Sequence, residues 1–380
     1  MLPTSAGSRL CLQLLCSPVV RRPCATLGRS ASAGAGVAPS SLGEMPDFRG
    51  PSRLLKEAMK ESALVTKAGG NPRIGNRNKR AAKHASQRVD AMASTLSVAL
   101  RTQQKAFREV MSGLPPFQAA LAELTLAAQE RDGGRSLRNV EADFDRLRRS
   151  VVRAGKEATS LTSKAATSRE AAEVAEAGLE SVEAAFEAES GALDELIATA
   201  GRLRRLPRPA ADEPVLVLVG MPNVGKSSIV TATSTGTPEI NDYPFTTRVL
   251  KMGHVIGKAG RYQVMDTPGV LHRAEAERNP MEGLTLAAVE HLPSAVVFVM
   301  DLSGTCGQQS APALQLAVRS QLKEIYAGRP WLDVRSKADL PLADGLGPEA
   351  VPQGTLHVSV LEAIGVDELR RRMAALVGDE

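Results

Sequence analysis

The sequence predicts an α/β domain built on a phosphate-binding loop and a parallel-rich sheet, preceded by an α-helical bundle. Three observations carry this expectation. Residues 91–205 have few breakers and a high content of Ala, Leu and Glu, which favours helix by intrinsic propensity. The stretch "RLPRPAADEP" at 205–214 then interrupts helix propagation with Pro207, Pro209 and Pro214. Beyond it, "VLVLV" at 215–219 is a continuous apolar run suited to a strand buried on both faces, and it leads straight into "GMPNVGKSS".

With 380 residues and 43% hydrophobic content the chain can bury two cores, and 3% aromatic content makes those cores mostly Ala, Val and Leu. The net charge of +5 is mild for this length, so where the charge sits matters more than its sum. Before Glu44 the chain carries Arg9, Arg21, Arg22 and Arg29, abundant Ser and Ala, and no acid. That composition predicts an organelle-targeting segment over 1–43, addressed to the mitochondrion (matrix) with the plastid as alternative; a disordered tail and a secretory signal are the other readings. Cys11, Cys16 and Cys24 fall in this segment and leave Cys306 alone beyond it, which argues against a disulfide framework or thiolate metal site. No apolar run reaches the length of a membrane-spanning helix, so no membrane is expected among the partners.

Residues 44–90 read as a basic, partly irregular arm. Its core, "NPRIGNRNKRAAKHASQR" from residue 71, has six Lys or Arg and no acid, and is either a phosphate-binding arm for RNA or a solvated basic linker. Residues 91–206 form the helical domain, with three or four helices expected and joints near "LPPF" (114–117) and "RDGGRS" (131–136). From 168 onward Leu179, Val182, Phe186, Leu193 and Leu196 define one apolar seam broken only by Glu189, beside an acidic face of Glu173, Glu176, Glu180, Glu183 and Glu187.

The second domain, 211–380, opens with G-x-x-x-x-G-K-[ST] at Gly220, Gly225, Lys226 and Ser227. Glycines permit a tight loop whose N–H groups surround phosphates, Lys226 reaches the β- and γ-phosphates, and Ser227 ligates Mg²⁺. The helix starting near Lys226 adds its dipole to the same anion site. Further elements come in the order a nucleotide switch requires: "DYPFTT" (242–247), "VMDTPG" (264–269) and the apolar strand "AVVFVMD" (295–301). Asp266 and Thr247 can hold the same Mg²⁺, and the Gly269 N–H can sense a γ-phosphate. Asp301 is read as a strand-end cap rather than an acid in a cleft.

Through "LPPF", "GMPNVGKSSIV", "YPFTT", "YQVMDTPGVL", "RNPMEG", "VVFVMDLSGTCG" and "VSVLEAIGVDEL", roughly residues 110–377, the chain resembles the Nog branch of the Obg-related GTPases, which serve in assembly of the large ribosomal subunit. The resemblance implies a helical domain followed by a Ras-like G domain that binds GTP and GDP with Mg²⁺. It assigns phosphate binding to Gly220, Asn223, Val224, Gly225, Lys226, Ser227, Ser228 and Gly269. The first switch becomes Tyr243, Pro244, Phe245, Thr246 and Thr247, and the second Asp266, Thr267, Pro268, Gly269 and Val270. Guanine contact falls to Ser336, Lys337 and Asp339 with Ser359 and Val360. Asn223 also occupies the position that coordinates a monovalent ion in potassium-stimulated relatives, so K⁺ stimulation is an expectation.

Several departures matter. The position where Ras relatives carry a water-orienting Gln is Val270, whose apolar side chain cannot orient water, so slow hydrolysis needing a ribosomal or ionic activator is expected. The base loop reads Ser336-Lys337-Ala338-Asp339 where the family has N-K-x-D. Asp339 can still accept the guanine N1–H and 2-amino group, while the Ser336 hydroxyl is a shorter substitute for an amide that bonds the base and ties this loop to the phosphate loop. Asp333, inside the preceding strand, is costly if buried without a partner. The acidic stretch at 170–195 stands where relatives often carry a basic helix, and the chain ends at Glu380 without the long extension of nucleolar members.

The expected function is therefore a slow GTPase acting as an assembly factor for an organellar large ribosomal subunit. Its partners would be rRNA and proteins of the maturing particle, bound as a monomer. The alternatives are a catalytically inactive scaffold on the same particle and a tRNA-modification GTPase, the latter disfavoured because no one-carbon-binding domain is visible.

Overall fold

The computed structural model describes residues 41–65, 76–209, 213–241, 250–257, 260–271 and 280–378. The expected targeting segment up to residue 40, the start of the basic run at 71–75, and Tyr243, Pro244, Phe245, Thr246 and Thr247 of the first switch lie outside them.

The helical domain comprises α1 (Pro51–Leu64), α2 (Arg77–Ser112), α3 (Pro116–Arg131), α4 (Leu137–Ser163), α5 (Ser168–Glu187) and α6 (Gly191–Arg204). Each start has a local cause. Asn76 accepts the Asn78 and Lys79 N–H groups at the head of α2, Ser136 accepts Asn139 N–H at α4, and Thr167 accepts Glu170 N–H at α5. Pro116 fills the first position of α3, where its missing N–H costs nothing. α2, α4 and α5 pack together, and their closest approach is set by glycine. A Cβ on Gly155 would lie 2.4 Å from the Ala93 Cβ, and one on Gly178 would lie 2.8 Å from the Ala158 Cβ. Gln104 reaches Asp145 and Arg108 reaches Glu141, so α2 and α4 run antiparallel.

Several expectations are corrected here. The boundary expected between residues 90 and 91 falls inside α2, a 36-residue helix; its early residues are not an irregular arm or linker from Arg77 onward, because Asn76 caps it and Ala82, Ala85 and Val89 bury against the bundle. Between Arg77 and Arg204 there are five helices, not three or four. The seam read as continuous from 168 is split: α5 ends at Glu187 and α6 begins at Gly191, although Val182, Phe186, Leu193 and Leu196 are all buried as expected. The joints at 113–115 and 132–136 stand where "LPPF" and "RDGGRS" place them.

The expected break between residues 43 and 44 also cuts a folded segment. Ser41 caps a short 3₁₀ turn, Leu42 is fully buried, and its N–H donates to Gln118 Oε1 at 2.8 Å. Arg204 secures the residues after this turn, its Nε donating to the Met45 carbonyl at 2.8 Å and its guanidinium to the Pro46 carbonyl.

In the second domain a seven-stranded sheet has the order β2-β3-β4-β1-β5-β6-β7. Its strands are β1 (Val215–Val219), β2 (Glu239–Asn241), β3 (Leu250–Ile256), β4 (Arg261–Asp266), β5 (Ser294–Met300), β6 (Trp331–Arg335) and β7 (Leu356–His357). β4, β1, β5, β6 and β7 are parallel, and β2 and β3 form an antiparallel edge. Every residue of β1 and β5 is buried, as continuous apolar runs require of central parallel strands. The helices are α7 (Lys226–Thr233), α8 (Pro280–His291), α9 (Pro312–Ile325) and α10 (Val366–Leu376). The two domains meet where α8 packs on α3, with Gly283 against Leu124. Among the described residues no helix is long and apolar enough to cross a membrane.

Candidate functional site

The loops following β1, β4, β5, β6 and β7 gather at the carboxyl ends of the parallel strands, where ligands bind in open α/β sheets. Between β1 and α7, Asn223 (φ 65°) and Gly225 (φ 94°) take left-handed conformations, the alternation that turns successive N–H groups into an anion-binding concavity. A Cβ at Gly220 would sit 2.2 Å from the Val299 carbonyl oxygen, so no larger residue fits. Lys226 is buried and its Nζ is held by the Gly220 and Met221 carbonyls at 3.1 and 2.8 Å, which aims the charge across the loop. Val224 is buried beneath the loop, Ser228 is exposed on the first turn of α7, and the Asn223 side chain is exposed at the rim.

Ser227 Oγ donates to Asp266 Oδ2, bringing together two residues expected to share Mg²⁺. Burial pushes the Asp266 carboxyl above its usual range, with the Ser227 hydrogen bond and the Lys226 charge partly offsetting it. A desolvated carboxylate beside a hydroxyl is an all-oxygen donor pair suited to a hard cation that also takes phosphate oxygens and water. Among the described residues no group of three or more His, Cys, Asp or Glu could hold a metal, and a phosphate-bound Mg²⁺ needs none.

The second switch is anchored at both ends. Thr267 Oγ1 donates to the Leu218 carbonyl at 2.6 Å, and Val270 N–H to the Gly220 carbonyl at 3.1 Å. A Cβ on Gly269 would meet Pro222 N at 2.5 Å, so this glycine lies directly on the phosphate loop. The Val270 side chain is buried, which removes it from any water in the site. From α8, Thr285 Oγ1 donates to the Pro268 carbonyl at 3.0 Å, and the fully buried Glu282 accepts Leu271 N–H at 2.9 Å. Sequence reasoning missed these two hooks, since nothing adjacent to Glu282 or Thr285 in the sequence marks a partner for either.

On the base side the structure supplies the partners that the sequence left open for Ser336 and Asp333. The tie from the base loop to the phosphate loop survives: Ser336 Oγ donates to the Val224 carbonyl at 2.6 Å, and Ser336 is buried. Asp333 is buried but well partnered. Arg319 on α9 grips it with two hydrogen bonds at 2.8 and 2.6 Å, Trp331 Nε1 donates at 2.8 Å, and Lys323 lies 3.6 Å away. Burial pushes this carboxyl up, but the Arg319 and Trp331 hydrogen bonds outweigh it and hold it below the ordinary range.

Lys337 (φ 49°) turns back to pair with Asp301 at 2.7 Å and with Thr305 Oγ1 at 2.9 Å. Asp301 is both the expected cap, accepting Ser303 N–H at 2.8 Å, and the counter-ion of Lys337. Burial opposes its charge, yet hydrogen bonds from Lys337, Ser303 and Cys306 hold it far below the usual carboxylate range. Cys306 joins β5's loop to the phosphate loop through the Asn223 carbonyl at 3.1 Å; burial and its bond to Asp301 push the thiol up to about 11, so it is a structural thiol. Asp339 is exposed at the loop tip with no ion pair among the described residues. Ala338 N–H donates to the Val358 carbonyl, Ser359 is buried and pairs with Ile364, and Val360 is half-buried, so the last loop abuts the base loop.

Compared with known proteins, residues 215–334 match the family described as 50S ribosome-binding GTPase, and residues 54–208 match the NOG1 N-terminal helical domain. The helical domain is thus similar to that of the Nog family. Nucleolar GTP-binding protein 1 of Caenorhabditis elegans is similar to this chain at 35% identity over 181 residues, covering 45% of this chain and 26% of that protein. The Arabidopsis thaliana protein of the same name is 36% identical over 147 residues, covering 39% and 22%. The match thus spans about a quarter of those relatives' length.

Proposed function

We propose that this protein is a GTP-binding protein and slow GTPase that acts as an assembly factor on the large subunit of an organellar ribosome, the mitochondrial one first. The observation that carries the reading is the ring of contacts around one cleft. Lys226 and the Ser227–Asp266 pair form its phosphate side, and Ser336 hydrogen-bonded to Val224 locks the base side to it.

In this reading the N–H groups from Asn223 to Ser228 hold the phosphates and Lys226 neutralises them. Ser227 and Asp266, with Thr247, hold Mg²⁺, which when bound draws charge off the β- and γ-oxygens. Gly269, lying on Pro222, reports the γ-phosphate to the second switch. Asp339 accepts the guanine N1–H and 2-amino hydrogens, while Lys337, Ser359 and Val360 frame the base. Nothing on the Val270 side chain orients an attacking water, which supports slow turnover awaiting K⁺ at Asn223 or a ribosomal activator. Mitochondrial targeting rests on the acid-free, Arg-bearing stretch before Glu44, and the ribosomal partner on the likeness of the two domains to the 50S ribosome-binding GTPases and to the NOG1 N-terminal helical domain.

The test is sedimentation of the chain with organellar ribosomal particles in GTP or GDP, beside Lys226→Ala. Association that depends on GTP and is lost in the variant supports the proposal. Association indifferent to both would instead mark a scaffold that does not use its nucleotide.

A further inference from the structure

The helical domain presents two outer faces of opposite charge. On α5 the acids Glu173, Glu176, Glu180 and Glu187 are exposed, as the sequence pattern requires. On α4 the inward residues Val140, Phe144, Leu147, Val151, Ala154 and Ala158 are buried, which turns Arg138, Arg149, Arg153, Lys156 and Lys164 outward. The acids in the first half of this helix are already committed to ion pairs: Glu141 and Asp145 with Arg108, and Asp143 with Arg135 and Arg146. The five outward cations make no ion pair among the described residues.

They run along one side of the helix for about 39 Å at about 1.5 Å per residue. A shallow hollow of about 460 Å³, lined by Arg148, Arg149, Val152, Arg153, Lys156 and Glu157, lies midway. The antiparallel register set by Gly155 on Ala93 brings the head of α2 to the Lys164 end, where Arg77, Lys79, Arg80 and Lys83 are also exposed. Arg77, Lys79 and Arg80 sit in the first turn of this helix, where the dipole disfavours them, so local stability does not account for their placement.

We infer that the outer face of α4, continued by the first turns of α2, binds the phosphodiester backbone of duplex RNA. The chemistry selects this occupant. A straight row of unpaired cations matches the regular phosphates of a helix and gives sequence-independent, salt-sensitive binding. The face carries no aromatic side chain, so stacking of single-stranded bases is unsupported. It also lacks the apolar stripe that seats an amphipathic helix in a lipid surface. The inference deepens the ribosomal reading above by naming the surface that meets RNA, and it assigns that surface to α4 rather than to the acidic α5.

The test uses the full chain and fluorescence anisotropy with a duplex RNA of about 20 base pairs, titrated at several KCl concentrations. The triple variant R149Q/R153Q/K156Q is expected to bind at least about tenfold more weakly near 0.1 M KCl, with the log–log salt slope smaller by about three. Fluorescent GTP binding should stay unchanged, and Glu173, Glu176 and Glu180→Gln on α5 should not weaken the RNA binding. Unchanged affinity and slope in the triple variant would overturn the inference, as would preference for phosphatidylserine vesicles over RNA. If the face binds RNA but the chain never sediments with ribosomal particles, the ribosomal reading falls and this one stands. If the triple variant sediments and binds RNA as the parent does, the reverse holds.

Discussion

Ser336 donates its hydroxyl proton to the Val224 carbonyl across 2.6 Å, so one buried side chain fastens the base loop to the phosphate loop. Ser336→Ala leaves that carbonyl unpaired and frees the loop bearing Asp339. A buried hydrogen bond lost in this way costs about 1 to 2 kcal/mol, so GTP affinity should fall roughly fivefold to thirtyfold. Calorimetric titration with GTP checks it, and an unchanged affinity would show that the two loops are positioned independently.

Arg319→Ala removes the two hydrogen bonds that offset the burial of Asp333 and should cost about 3 kcal/mol of stability. The pH dependence comes from the direction of the shift. Because the folded-state carboxyl titrates below its unfolded value, its stabilisation is complete above about pH 4 and is lost as pH falls through the lower folded value. Urea unfolding between pH 7 and 3 should show the parent holding this contribution to lower pH than the variant.

These two residues mark how far the sequence was legible. The domain break, the central strands and the phosphate loop could all be read, because Pro207, Pro209 and Pro214 interrupt helix locally and "VLVLV" before "GMPNVGKSS" encodes its context in adjacent residues. Ser336 and Asp333 looked like weaknesses because their partners, Val224 and Arg319, lie far along the chain or on another element, and a one-dimensional pattern cannot pair them. The split between α5 and α6, at Ser190-Gly191, was missed because Val182, Phe186, Leu193 and Leu196 stay buried on both sides of the break and keep one apolar seam. The hooks from Glu282 and Thr285 to the second switch are likewise tertiary.

The interface between the domains offers a third test. A Cβ on Gly283 would lie 3.0 Å from Leu124 Cδ2, a contact that a single methyl can share by shifting the leucine but a larger side chain cannot. Gly283→Ala should be nearly neutral, whereas Gly283→Leu should overpack α3 against α8 and cost about 1 to 3 kcal/mol. Differential scanning calorimetry is expected to show the Leu variant unfolding at lower temperature than the Ala variant.

The buried Leu42 limits where the targeting segment proposed for the N-terminus could end. A chain beginning at Ser41 keeps the Leu42 side chain and its bond to Gln118, and should match the parent in thermal stability. One beginning at Glu44 loses a fully buried leucine and should be weaker by about 2 kcal/mol or more. Equal melting temperatures for the two truncations would show that the segment does not belong to the folded domain.

The central claim is that this cleft reads guanine through Asp339 despite Ser336. The measurement that meets it most directly is the affinity of the full chain and of Asp339→Asn for GTP, XTP and ATP, with Mg²⁺ and K⁺ present. A carboxylate accepts from both N1–H and the 2-amino group, whereas an asparagine amide accepts from N1–H and donates to the 2-oxo group of xanthine. The parent should prefer GTP over ATP by at least about a hundredfold, a difference of about 2.7 kcal/mol, and Asp339→Asn should exchange that preference for XTP. Equal binding of GTP and ATP by the parent, or an Asn variant still selective for GTP, would contradict the account.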